Sequence, residues 1–149
     1  MTDKPEDPYY FTINNAEISI DDDGWLNYDD LQKWLLMAIK NEEFSILLTN
    51  DEHIQNLNRD FRAKDKPTNV LSFPDGENGY LGDIAISLNT IEAEAQEQNK
   101  DFYHHFIHMV IHGLLHLQGH DHEDDSEAEK MESLETQILA DMGIETPYI

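Results

Sequence analysis

The sequence predicts an α+β domain in which a mixed β-sheet packs against helices, one of them buried at the centre. Three observations predict it. Strand-like and helix-like stretches mix along the chain, one late helix is apolar on nearly every side, and 39% of the 149 residues are apolar. No Pro/Gly/Ser-rich linker and no internal repeat divides the chain, so it reads as a single domain over 1–149.

Tyr9 to Ile13 reads as a strand and Asp21-Asp22-Asp23-Gly24 as a turn. Leu31, Trp34, Leu35 and Ala38 recur at helical spacing, giving an amphipathic helix over roughly Tyr28 to Lys40. Phe44 to Leu48 is a short apolar strand. Thr49 and Glu52 then form a capping-box pattern opening a helix with Ile54, Leu57 and Phe61 on its inner face. Lys66-Pro67-Thr68 breaks that helix, and Asn69 to Phe73 reads as a strand. Pro74-Asp75-Gly76 is a turn before a further strand, Tyr80 to Ser87. Two helices finish the chain. In the first, Phe102, Phe106, Met109, Gly113 and Leu117 share one side, and Ile107, Val110, Ile111, Leu114 and Leu115 cover much of the rest. The last opens with Ser126 and Glu129, buries Met131, Leu134, Ile138 and Met142, and ends at Gly143.

Nine Lys and Arg stand against 32 Asp and Glu, a net charge of −23 with histidine neutral. Bulk positive charge is therefore excluded as the means of holding nucleic acid, and anionic membranes are disfavoured. The absence of cysteine excludes disulfides, Cys-based zinc knuckles and thiol catalysis. Met1-Thr2-Asp3-Lys4-Pro5 is unlike a secretory signal, and the longest apolar run, Trp34 to Ile39, is too short to span a bilayer. A soluble, cytoplasmic protein with no membrane partner is expected.

Seven of the eight histidines lie between His104 and His122. His105, His108, His112 and His116 form one stripe along the apolar helix, where unpartnered imidazoles are costly and a divalent metal could engage several. His112 and His116 stand one turn apart. Gly119 can take the left-handed conformation that ends the helix, which lets His122 return as a third ligand. Three nitrogens leave one tetrahedral position open, the layout of a catalytic zinc. His104, His105, His108 and His120 are then packing, supporting or solvent-facing groups, and Asp121 could orient a ligand imidazole. The spacing is similar to that of the metzincin metalloproteases, except that Gly113 stands where their general-base glutamate would be.

Four of the nine cations, Arg59, Arg62, Lys64 and Lys66, fall within eight positions. They lead into a strand, where side chains can be aimed into a cleft to meet phosphate.

Two segments, Phe61-Arg62-Ala63-Lys64-Asp65-Lys66-Pro67-Thr68-Asn69-Val70-Leu71-Ser72-Phe73-Pro74 and His112-Gly113-Leu114-Leu115-His116-Leu117-Gln118-Gly119-His120-Asp121-His122, closely resemble the two signatures of the bacterial YbeY family. Leu81-Gly82-Asp83-Ile84-Ala85-Ile86-Ser87 resembles its intervening strand. The family often carries aspartate where this chain has Asn69. The resemblance implies a single-strand-specific, metal-dependent endoribonuclease acting in ribosomal RNA processing, at the 3′ end of the small-subunit RNA, and in ribosome quality control. It also implies a mixed sheet packed with helices, zinc on His112, His116 and His122, and a catalytic Arg62, while the clustered cations themselves make Arg59, Arg62, Lys64 and Lys66 the expected substrate contacts. The implied partners are single-stranded ribosomal RNA, the small subunit and its assembly factors, with no DNA. The group that deprotonates the nucleophile stays open, a metal-held hydroxide and His120 being candidates. Two other classes compete: a metalloprotease or other amide hydrolase, which Gly113 deprives of its base, and a non-catalytic ribosome-assembly factor with a structural metal.

Overall fold

The computed structural model describes residues 10–21, 26–121 and 123–145. Tyr10–Ile13 (β1) and Ala16–Ile20 (β2) form an antiparallel hairpin, with Asn14 left-handed at φ 54°. Asparagine tolerates that backbone better than most residues. The sequence reading has only the first of these strands, because β2 is five residues long and carries just Ala16, Ile18 and Ile20 inward. Tyr9 and Asp22–Gly24 lie outside the described residues.

Helix Tyr28–Ala38 (α1) is capped by Asn27, whose side chain accepts from the Asp30 N–H, and buries Leu31 and Leu35. It stops short of Lys40 because Ile39 turns to extended backbone. Ser45–Thr49 (β3) runs parallel to β2. Helix Asp51–Arg62 (α2) is capped by Asn50, which accepts from the His53 N–H. Thr49 is not the cap; it is the last residue of β3 and its hydroxyl donates to Asp21. Ala63, left-handed at φ 58°, ends α2 before Lys66-Pro67 is reached. Ile54 and Asn58 fill the inner face of α2, and Phe61 is 67% exposed rather than inward.

Val70–Glu77 (β4) pairs antiparallel with Tyr80–Ser87 (β5). Pro74-Asp75-Gly76 belongs to β4 and is not the turn; the register slips there, and the chain reverses at Asn78 and Gly79, both left-handed. Proline is tolerated because β4 is an edge strand. The sheet order is β1-β2-β3-β5-β4, with β2–β3 and β3–β5 parallel, so the sheet is mixed.

Three helices follow rather than two: Leu88–Glu97 (α3), Phe102–Leu117 (α4) and Asp125–Asp141 (α5). The apolar side of α3 is narrow, Leu88, Ile91 and Ala95, among polar and acidic neighbours. Asp124, not Ser126, caps α5 by accepting from the Glu127 N–H. The buried stripe of α5 is Met131, Glu135 and Leu139, with Leu134, Ile138 and Met142 packed at its margins.

Helix α4 is central, as its all-round apolar character requires. Phe106, Ile107, Val110, Ile111 and Leu115 share one core cluster with Ile84 and Ile86 of β5 and with Leu31 and Leu35 of α1. Each such side chain contributes roughly 1.5–3 kcal/mol on burial. Alternation along β5 sends Ala85 to the other sheet face, where it joins Leu71 and Ile54 of α2 in a smaller cluster. Among the described residues no helix is long and apolar enough to cross a membrane.

Candidate metal centre

Apolar anchoring fixes the rotation of α4 and so decides where its histidines point. His112 and His116 sit one turn apart and half-buried, their rings 4.6 Å apart and inclined by 82°. Their Nε2 atoms are 3.1 Å from each other.

The end of α4 aims the second ring. Gly119 has φ 97°, and open space surrounds the position of a Cβ, so glycine is there for backbone conformation and not for packing. Its N–H donates to the His116 carbonyl and the His120 N–H to the Leu115 carbonyl, each at 3.0 Å, a Schellman termination. The turn carries the His120 carbonyl back over the helix, where it accepts from His116 Nδ1 at 3.0 Å. His112 Nδ1 in turn donates to Glu135, whose side chain is fully buried under α4. With both Nδ1 atoms donating to oxygen, both Nε2 atoms carry lone pairs, and these converge. Two imidazole nitrogens sharing a tetrahedral zinc at 2.0–2.1 Å lie roughly 3.4 Å apart, close to the separation found. The donor set therefore fits one divalent ion.

His122 lies outside the described residues, and among those described no group of three or more His, Asp or Glu converges as a complete ligand set. Glu135 is the site residue that sequence reasoning missed. Its signal was present: with Met131 and Leu139 it makes a row at intervals of four, an acid on an otherwise apolar stripe. Asp121, the acid picked out by its position near the ligands, lines the cavity beside them.

The other histidines lie elsewhere. His105 is buried, and its Nε2 is 2.8 Å from Glu94 Oε1. Burial lowers its pKa, and the Glu94 carboxylate only partly opposes this. Glu94 also accepts from Asn69 Nδ2 at 3.1 Å, a contact in which an asparagine can donate and an ionised aspartate could not. His108 reaches Glu135 at 3.5 Å, and His104 stands edge-on to Trp34. All three line a separate cavity of about 400 Å³ near the start of α4.

Gly113 faces the sheet. A Cβ there would meet two Ile84 carbons at 3.1 Å and Ser72 Oγ at 3.2 Å, and the Gly113 carbonyl accepts from that hydroxyl at 3.3 Å. The position of the metzincin base is thus spent on helix–sheet contact.

Arg62 reaches the same cavity from the end of α2. Its Nη2 donates to the Ser72 carbonyl at 2.7 Å, and its guanidinium lies 5.9 Å over the Phe73 ring. A cavity of about 510 Å³ is lined by Arg62, Asn69, Ser72, His112, His116 and His120, among others. Of the four clustered cations only Arg62 lines it. Arg59 pairs with Asp60 at 3.1 Å, and Lys64 and Lys66 are exposed on the loop before β4.

The family model described as Endoribonuclease YbeY matches residues 14–143, most of the chain. The chain belongs to the YbeY family. Among its YbeY relatives, "Endoribonuclease YbeY" of Rhodopseudomonas palustris is 44% identical over 152 residues, covering 89% of this chain and 80% of that protein. The protein of the same name from Azorhizobium caulinodans is 44% identical over 150 residues, covering 89% and 94%. That of Francisella tularensis subsp. novicida is 49% identical over 120 residues, 74% of each chain. A Thermotoga maritima protein solved in solution shares the fold with a TM-score of 0.55 and 30% identity, over 85% of this chain and 91% of that one. Arg62, Asn69, His112, His116 and His122 all fall inside the span matched by the YbeY model.

Proposed function

We propose that this YbeY-family chain is a zinc-dependent endoribonuclease that cuts single-stranded RNA. Its expected role is ribosomal RNA processing, at the 3′ end of the small-subunit RNA, and ribosome quality control in the cytoplasm. The observation that carries the reading is the pair of converging Nε2 lone pairs on His112 and His116, facing a cavity they share with Arg62. Family membership supports the nuclease activity, since the relatives bear that name.

His112 and His116, with His122 as the third ligand from the spacing, would hold the zinc. Bound there, zinc supplies Lewis-acid polarisation of a phosphodiester oxygen. Glu135 and the His120 carbonyl keep the two rings in the tautomer that ligation requires. Arg62, steadied by the Ser72 carbonyl, neutralises charge that builds on the phosphate oxygens during displacement. His120 lines the same cavity and is one candidate for taking the proton of the attacking water. Because the net charge of −23 opposes unaided encounter with RNA, the small subunit and its assembly factors are the expected means of delivery.

Cleavage of single-stranded RNA by the purified protein tests this reading, with chelator, zinc add-back and His116→Ala in parallel. Expected are cleavage, its loss on chelation, its return with zinc, and an inactive variant. RNA left intact by zinc-replete protein, while chelation melts the fold, would replace this reading with a non-catalytic assembly factor. Digestion of casein would point to an amide hydrolase.

A further inference from the structure

We propose that Phe61 and Phe73 form a stacking subsite for the nucleobase next to the phosphate held at Arg62. The inference rests on the endoribonuclease reading and says where the bases of that substrate go. β4 is the edge strand of the sheet, and its side chains alternate. Ser72 lines the histidine cavity, whereas Phe73 lies on the opposite face against Phe61 of α2. The two rings are 5.5 Å apart and inclined by 69°. With Phe61 67% exposed, an aromatic surface is left open beside a groove of about 440 Å³ that also has Leu47, Leu57 and Asp83 in its walls.

Arg62 joins the two places. It lines the histidine cavity and lies over the Phe73 ring, 5.9 Å from its centre. An RNA strand crossing the sheet edge therefore meets a cation for its phosphate on one side and aromatic rings for the adjoining base on the other.

Charge favours RNA over a protein segment as the occupant. Arg59 to Lys66 holds four cations and two acids, a local excess of positive charge beside Phe61 that can hold phosphate at short range although the chain's net charge of −23 opposes long-range attraction. Asp83 within the groove repels phosphate, which turns the base inward and leaves the backbone at the rim. Stacking on aromatic side chains tolerates every base but needs it unpaired. The subsite thus gives a physical reason for single-strand selectivity.

The test is binding of short single-stranded RNAs carrying 2-aminopurine at successive positions, read by stopped-flow before cleavage. Zinc-loaded wild type is compared with Phe61→Trp, Phe61→Leu and Phe61→Ala. Wild type and Phe61→Trp should quench the probe at one position. Phe61→Leu and Phe61→Ala should lose that quenching and bind about 5- to 150-fold more weakly, with thermal midpoints unchanged because the ring is exposed. A Phe61→Leu protein that binds like wild type would overturn stacking in favour of plain apolar contact. RNA binding unchanged in Phe61→Ala would overturn the subsite and leave the groove to a protein partner. Quenching that depends on Phe61, in a protein that never cuts RNA, would uphold the subsite and remove the nuclease reading alone.

Discussion

Glu135 of α5 lies fully buried beneath α4 and accepts the Nδ1 hydrogen of His112, which turns the other nitrogen of that ring toward His116. A carboxylate in this position fixes both the tautomer and the ring orientation.

Glu135→Gln should therefore weaken zinc binding by about 10- to 100-fold, read by competition with a chromophoric chelator. Glutamine keeps an acceptor oxygen but gives up the charge that strengthens the bond. Zinc affinity equal to wild type would show that the contact does not position His112.

Gly113→Glu restores the residue that metalloproteases carry, yet it should create no protease. The new side chain would start 3.1 Å from Ile84 carbons, on the sheet side of α4. Overpacking and a buried carboxylate together should cost about 3 kcal/mol or more in stability, measured by urea unfolding. A variant as stable as wild type would mean that α4 can back away from β5.

Arg62→Lys should fail nearly as badly as Arg62→Ala. One guanidinium donates to the Ser72 carbonyl while keeping further N–H groups for phosphate, and an ammonium does not reproduce that planar fork. Loss of one such donor should lower kcat by roughly 100- to 1000-fold, with zinc content unchanged. Full turnover in Arg62→Lys would reduce the role of the arginine to a point charge.

His105 gives the fold a dependence on pH. Burial holds its pKa below the ordinary histidine value, so between the two values the unfolded chain binds more protons than the folded one. Its contribution to stability is complete above about pH 6.5 and is lost as pH falls below that. His105→Gln, which retains a donor for Glu94, should lose less stability than wild type between pH 7.5 and pH 5.5 in urea titrations. Parallel curves would assign the acid sensitivity to other groups.

Much of this was legible in the sequence for identifiable reasons. The side-chain pattern of α4 admits only a buried helix, and the left-handed Gly119 follows from glycine placed just past the histidines. The strand Tyr80–Ser87 has the bounds its pattern predicts. Capping offsets were harder, because Thr49 and Asn50, or Asp124 and Ser126, are both competent caps and only the chain path decides. Helical spacing puts Phe61 inward because it carries no sign that Asn58 takes the inner position, held there by its bond to the Lys66 carbonyl at 2.9 Å. Glu135 was hidden among 32 acids, and its contact with His112 joins two helices that no local pattern relates.

Zinc content of the purified chain and of its His112→Ala, His116→Ala and His122→Ala variants is the most direct measurement of the proposed centre. One zinc per wild-type chain, lost in each variant while the fold remains, is the predicted result. A His116→Ala protein that keeps its full complement would contradict it.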